Sequence, residues 1–229
     1  MFRCVFFDVG DTLVDDKGFF RGAHIEADRV VLDRFGFRKS RDEIVRALKL
    51  TRILIDEFWD RNVSFFGVLC RNLGIEVSGS LACKMDELFR EKFSSVAELG
   101  ESVKFTLSEL GRMSFEMAII SNFDVGMVEA LLRRFGIESY FELVVGVDST
   151  GFRKAKLEPF KYALRELGLE PCEVVMVGDD EEQDIIPANM LGITTIKVSG
   201  EEGRTAAKFN IKRLSELPDL LCKLNATEE

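Results

Sequence analysis

Four apolar residues, Cys4-Val5-Phe6-Phe7, run without a break into Asp8. A run of this length, bounded by aspartate and glycine, reads as a strand buried on both faces, although periodicity alone leaves a buried helix open. The aspartate is the constraint on the fold. A carboxylate at the end of a buried strand is costly to desolvate unless a metal, hydrogen-bond donors or a cationic side chain compensates it. The rest of the chain must bring such partners to the same place; with none, Asp8 is only a helix cap.

From about Phe19 to Leu110 the sequence follows helical spacing. Ile25, Val30, Val31 and Phe35 recur at helical intervals, with Gly36 as a stop. Ser40 and Glu43 form a capping-box pattern ahead of Ile44, Leu48 and Ile55. Phe65, Val68 and Leu69 suggest a third helix ending at Gly74, and Leu81, Met85, Leu88, Phe89 and Phe93 a fourth. Beyond this all-helical block, apolar runs alternate with helical patterns. The runs are Met117 to Ile120, Leu143 to Val147, Val174 to Val177 and Thr194 to Val198. The helical stretches run from Glu101 to Leu110, Val125 to Phe135, Pro159 to Leu167 and Ile185 to Leu191. The tail from Ile211 to Leu224 predicts an edge strand and a helix broken at Pro218, and Asn225 to Glu229 is expected to fray.

Strands alternating with helices predict an α/β fold, a Rossmann-like parallel sheet with helices on both faces. Such sheets bind ligands beyond the carboxyl ends of their strands. Asp8, Ser121 with Asn122, and Asp179 with Asp180 each sit just after an apolar run, so the topology points them into one crevice.

The chemistry of that crevice follows from its residue types. Asp8, Asp179 and Asp184 gathered together repel one another and raise each other's pKa values. A hard divalent cation relieves this, and Mg2+ suits few carboxylates, several waters and a substrate phosphate. Ser121, Asn122 and a lysine from Arg153-Lys154-Ala155-Lys156 supply a phosphate cradle. A carboxylate nucleophile, magnesium and a phosphate cradle describe phosphoryl transfer through an aspartyl-phosphate. With 229 residues and 46% hydrophobic content the chain has ample sequence for one or two domains. A formal net charge of −9 argues against sequence-independent binding to nucleic acid or anionic membrane. No stretch is apolar enough to span a bilayer, and Met1 leads directly into the first strand pattern without the zones of a signal peptide. Five scattered cysteines fit reduced thiols, and the expected location is cytoplasmic.

The motifs together resemble the haloacid dehalogenase (HAD) superfamily of hydrolases, over nearly all of the chain. They are Asp8-Val9-Gly10-Asp11-Thr12-Leu13; Ile119-Ile120-Ser121-Asn122; Gly151-Phe152-Arg153-Lys154 ahead of Pro159-Phe160; and Gly178-Asp179-Asp180-Glu181-Glu182-Gln183-Asp184. The resemblance implies a core domain of 1–14 and 101–229, with residues 15–100 as a helical cap that selects the substrate. It makes Asp8 the nucleophile and a magnesium ligand beside Asp179 and the backbone carbonyl of Gly10. Ser121, Asn122 and Lys154 would hold phosphate, and Asp184 would steady the metal's waters or the lysine. The implied partner is a small phosphorylated metabolite; oligomeric state is not legible.

Three positions depart from the family pattern. Gly10 stands where phosphatases of the family carry a second aspartate, their general acid and base; Asp11, one place on, is the nearest substitute. Ala155 stands where proline usually follows the lysine, and counting back from Phe160 favours Lys154 over Lys156. Asp180, often serine in the family, either joins the metal shell or caps the next helix. His24, the sole histidine, reads as a surface or packing residue. Phe58, Trp59, Phe65 and Phe66 read as core in a chain with 20 phenylalanines, with a substrate pocket as the alternative. Two other functions compete with the phosphatase: a metal-independent 2-haloacid dehalogenase, which has little need of Asp179, Asp180 and Asp184, and a regulatory protein with weakened catalysis, which Gly10 supports.

Overall fold

A computed structural model of the chain describes residues 1–15, 23–58, 63–199 and 203–226. In chain order its elements begin with β1 (Cys4–Phe7), β2 (Val14–Asp15), α1 (Ala23–Arg34), α2 (Arg41–Phe58), α3 (Phe65–Asn72) and α4 (Gly79–Val96). Next come β3 (Glu98–Leu99), α5 (Val103–Arg112), β4 (Glu116–Ile120), α6 (Val125–Phe135), β5 (Leu143–Val145), α7 (Val147–Thr150) and α8 (Glu158–Leu167). The chain closes with β6 (Val174–Gly178), α9 (Ile186–Met190), β7 (Thr194–Val198), β8 (Phe209–Ile211) and α10 (Leu217–Ala226). It divides into two compact units, Met1–Val14 with Leu99–Glu229, and Asp15–Glu98.

The first unit is built on a six-stranded sheet in the order β5-β4-β1-β6-β7-β8, parallel throughout. β1 is buried at all four positions and β6 at all five, which is why both read as unbroken apolar runs rather than alternating ones. Cys4, Phe6, Ala118, Ile120, Val174 and Met176 form one core cluster with Phe160, Ala163 and Leu164 of α8. Their intervening neighbours Val5, Phe7, Met117, Ile119, Val175 and Val177 are buried as well. From β1 the chain goes to β4 and β5 on one side, then returns to β6 on the other. The carboxyl end of β1 therefore lies at the reversal of strand order where such sheets open a crevice. Gly136 and Gly168 end α6 and α8 in the left-handed region, at φ of 63° and 64°.

Three expectations are corrected here. β5 stops at Val145, and Val147 opens α7, because the Val147 N–H is drawn to the Phe123 carbonyl at 3.1 Å and the Gly146 N–H to Ser149 Oγ at 3.1 Å. Pro218 does not break the last helix; it sits in the first turn of α10, where no intrahelical partner awaits its missing N–H. Asn225 is not frayed: its side chain accepts from Phe2 N–H at 2.7 Å and donates to the Phe2 carbonyl at 3.0 Å. Residues 227–229 lie outside the described residues.

The second unit contains α1 to α4. Ile44, Leu48 and Ile55 of α2 are buried at helical spacing, as are Ala82, Met85, Phe89 and Phe93 of α4. The Ser40–Glu43 box opens α2, with Ser40 N–H donating to Glu43 Oε2 at 2.9 Å and Glu43 N–H to Ser40 Oγ at 3.3 Å. His24 is buried and packs against the rings of Phe65, Phe89 and Phe93. Its Nδ1 lies 3.0 Å from Asp28 Oδ2, and burial raises the pKa of that carboxyl against the pull of His24. Phe66 is wholly buried. Trp59 and the Phe58 side chain lie outside the described residues. Among the described residues no helix is long and apolar enough to cross a membrane.

Candidate active site

The three central strands end at one level, since Phe7 is in register with both Ile119 of β4 and Val177 of β6. Asp8 thus follows β1 between the loop that begins at Ser121 and the loop that begins at Asp179. The ladders hold the backbones there: the Asp8 N–H donates to the Val177 carbonyl at 3.0 Å, and the Ser121 N–H to Val145 at 2.9 Å.

One carboxylate oxygen from each of Asp8, Asp179 and Asp184 lies within 4.8 Å of the others. Lys154 enters the same cluster from the loop before α8 and is 2% exposed. Its ammonium donates to Asp184 Oδ1 at 2.6 Å and to Asp8 Oδ1. Lys156 is exposed. Burial, and then the charges of Asp8, Asp184 and Asp11, push the Asp179 carboxyl up to about 8, with Lys154 opposing them. Burial pushes Asp184 up to about 7, where Lys154 pulls down and Asp8 pushes further up. Burial alone would lower the pKa of Lys154, but Asp184 and Asp8 together outweigh it and hold the lysine above its usual range. Three carboxylates facing one ammonium leave the cluster short of positive charge.

An all-oxygen set of this kind fits a hard divalent cation. Asp8 spends one oxygen on Lys154, and among the described residues no hydrogen bond reaches the Asp179 carboxylate. Asp184 is differently placed: Oδ1 takes the lysine and Oδ2 the Asp180 N–H at 3.1 Å. Asp180 is a cap rather than part of this cluster. Its Oδ1 accepts from the N–H groups of Glu182 at 2.9 Å and Gln183 at 3.1 Å, which opens a π-helical turn over Glu181–Ile185.

Ser121 is buried at the end of β4, and its Oγ accepts from the Phe123 N–H at 3.1 Å. Asn122 is engaged at both ends of its amide: Oδ1 accepts from the Lys154 N–H at 2.9 Å, and Nδ2 donates to Gln183 Oε1 at 2.9 Å. Gln183 escapes a reading of the sequence, because a glutamine inside an acidic run carries no periodic signal of burial. Asp11 has a left-handed backbone, with φ of 53°, and its charge is felt at Asp179. Thr12 Oγ1 is buried without a hydrogen-bond partner among the described residues.

The last strand position of β6 must be glycine. A Cβ on Gly178 would stand 2.4 Å from Asp184 Oδ2, well inside any real contact. Gly178→Ala is therefore expected to cost about 1–3 kcal/mol of stability and to disturb Asp184 and Lys154 together. Thermal unfolding with a parallel assay of hydrolysis checks this; unchanged stability and activity would show that the approach does not fix the acidic turn.

The fold sets its acidic cluster at the carboxyl ends of the strands, where parallel α/β sheets bind ligands. The chain belongs to the haloacid dehalogenase-like hydrolase family, whose pattern matches residues 2–192. It is 33% identical over 203 residues to a glyceraldehyde 3-phosphate phosphatase of Methanothermobacter thermautotrophicus, covering 88% of this chain and 87% of that protein. A second glyceraldehyde 3-phosphate phosphatase, from Methanocaldococcus jannaschii, is 27% identical over 230 residues and covers 98% and 99%. In fold the chain is similar to a magnesium-bound HAD hydrolase from Bacillus subtilis, with a TM-score of 0.80 at 21% identity over 96% of this chain and 99% of that one. Family and relatives together make the chain an enzyme, a phosphoric monoester hydrolase.

Proposed function

We propose that the chain is a magnesium-dependent phosphatase of a small phosphorylated metabolite, working through a phosphoryl group carried on Asp8. The observation that supports this most directly is the meeting of Asp8, Asp179, Asp184 and Lys154 at the ends of β1 and β6. In this reading the Asp8 carboxylate attacks phosphorus and the ester P–O bond breaks, leaving an acyl phosphate and an alkoxide. Gly10 has no side chain to protonate that alkoxide, so the proton comes from water or from Asp11. Water then attacks the phosphorus of the acyl phosphate, which releases inorganic phosphate and regenerates Asp8. Ser121 and Lys154 bind the phosphoryl oxygens. Magnesium would be held by Asp8, Asp179 and the Gly10 carbonyl, and it supplies neutralisation of the phosphate charge. Asp184, with both oxygens engaged, orients Lys154 rather than binding the ion directly.

The triose phosphates of the similar archaeal enzymes set the size of substrate to test first. The helical unit, Asp15–Glu98, is assigned the role of a cap that selects among such substrates. The acidic pair Asp179 and Asp184 weighs against a metal-independent dehalogenase. Hydrolysis of an aryl phosphate and of glyceraldehyde 3-phosphate, each with magnesium and with chelator, tests the assignment. Hydrolysis of a 2-haloacid that ignores chelator would overturn it.

The shifted carboxyls predict a pH dependence. Burial, with the neighbouring carboxylates, holds Asp179 and Asp184 up at about 8 and about 7 in the folded protein, against about 3.9 for an unfolded aspartate. Between those values the folded state binds more protons, so stability in chelator is fully present below about pH 4 and is lost as pH rises through 7 to 8. Magnesium offsets the charges that appear. The gain in Tm on adding magnesium should therefore be larger at pH 8.5 than at pH 6, and Asp179→Asn should flatten the slope seen in chelator. A magnesium effect on Tm that is the same at both pH values would remove this account of the site.

A further inference from the structure

We propose that Gln183 is a positioning residue that sets the Lys154 ammonium through Asn122. The proposal deepens the reading of Lys154 as the phosphate-binding cation and rests on it. Lys154 lies outside any helix or strand, in the loop between α7 and α8, so no backbone ladder fixes it. A turn closed by the Lys156 N–H on the Arg153 carbonyl at 2.9 Å surrounds it, and its own N–H donates to Asn122 Oδ1 at 2.9 Å. That amide is held at its other end by Gln183 Oε1, also at 2.9 Å. Gln183 is 3% exposed, and its own N–H is tied to Asp180 Oδ1 at 3.1 Å. The next residue, Asp184, takes the ammonium of the same lysine at 2.6 Å.

The arrangement closes a ring. Two adjacent residues of one turn hold Lys154 at both ends, Asp184 by the ammonium and Gln183 by the backbone through Asn122. The π-helical turn makes this possible: the Ile185 N–H reaches back to the Asp180 carbonyl at 3.3 Å, and Gln183, Asp184 and Ile185 are buried in succession. The wider π turn sets neighbouring residues closer in direction than the about 100° of an α-helix, and Gln183 and Asp184 face inward together. The amide orientations follow from donor and acceptor chemistry. Asn122 must present its oxygen to the Lys154 N–H, which leaves Nδ2 facing Gln183, and only an acceptor there satisfies it.

Gln183→Met keeps the volume and removes the acceptor; Gln183→Glu keeps an acceptor for Asn122. Three quantities are measured: hydrogen exchange at the Lys154 amide, affinity for inorganic phosphate with magnesium, and kcat/KM on an aryl phosphate. In Gln183→Met, exchange at Lys154 should speed up about tenfold while amides of β1, β4 and β6 keep their protection. Phosphate affinity and kcat/KM should fall about tenfold with it, and Gln183→Glu should recover the slow exchange. Unchanged exchange at Lys154, or a loss of protection spread evenly over the sheet, would overturn the proposal, the second marking Gln183 as a general stability residue. Local exchange that responds as expected in a wild-type protein that neither binds nor hydrolyses phosphate would support the clamp and overturn the phosphatase reading of Lys154.

Discussion

Replacing Asp8 by asparagine is expected to cut magnesium-dependent hydrolysis of an aryl phosphate by about 10⁴-fold or more, the scale of losing a covalent nucleophile. The fold should survive the change. Asparagine has nearly the same shape, Lys154 keeps its bond to Asp184, and one of three mutually repelling carboxylates is removed. The thermal midpoint in chelator should therefore stay within about 5 °C of wild type, and acid-quenched protein should no longer trap a phosphoryl group. Turnover that persists in Asp8→Asn, with the midpoint unchanged, would place the nucleophile elsewhere.

The second large effect runs the other way. Gly10→Asp is expected to raise turnover by about 10²–10⁴-fold, the usual contribution of a positioned general acid and base. The position accepts the change sterically: a Cβ built on Gly10 meets nothing within 4 Å, and the backbone there is outside the left-handed region. The same assay on Asp11→Asn resolves which residue protonates the leaving group now. If Asp11 does, wild type loses its activity in Asp11→Asn while the Gly10→Asp variant keeps it. No gain in Gly10→Asp would show that proton transfer is not what limits this enzyme.

Much of the core could be read from the residues because burial on both faces writes itself into sequence as unbroken apolar runs. Cys4–Phe7, Met117–Ile120 and Val174–Val177 are such runs; the first two pass directly into Asp8 and Ser121, and the third reaches Asp179 through Gly178. Helix limits were legible where they have chemical markers, as at Ser40 with Glu43, Gly136 and Gly168. They were misread where tertiary hydrogen bonds override local pattern. Val147 looks like strand but leaves the ladder for the Phe123 carbonyl, and Asn225 looks like tail but is held by both polar groups of Phe2.

For the site, residue types and their order determined that Asp8, Ser121 and Asp179 share the strand ends, because a parallel sheet delivers every strand's carboxyl end to one edge. They also determined that a cation of some kind must answer the gathered acids. What only the tertiary structure decided is how that charge is distributed. The Lys154 ammonium divides between Asp8 and Asp184, Asp180 turns away to cap, and Asp184 spends both oxygens on neighbours. Gln183 and Asn122 bind to each other across 61 positions of sequence. These outcomes depend on which polar atoms are left facing each other once the chain is closed, and pairings between distant loops leave no periodicity or spacing in the sequence that forms them.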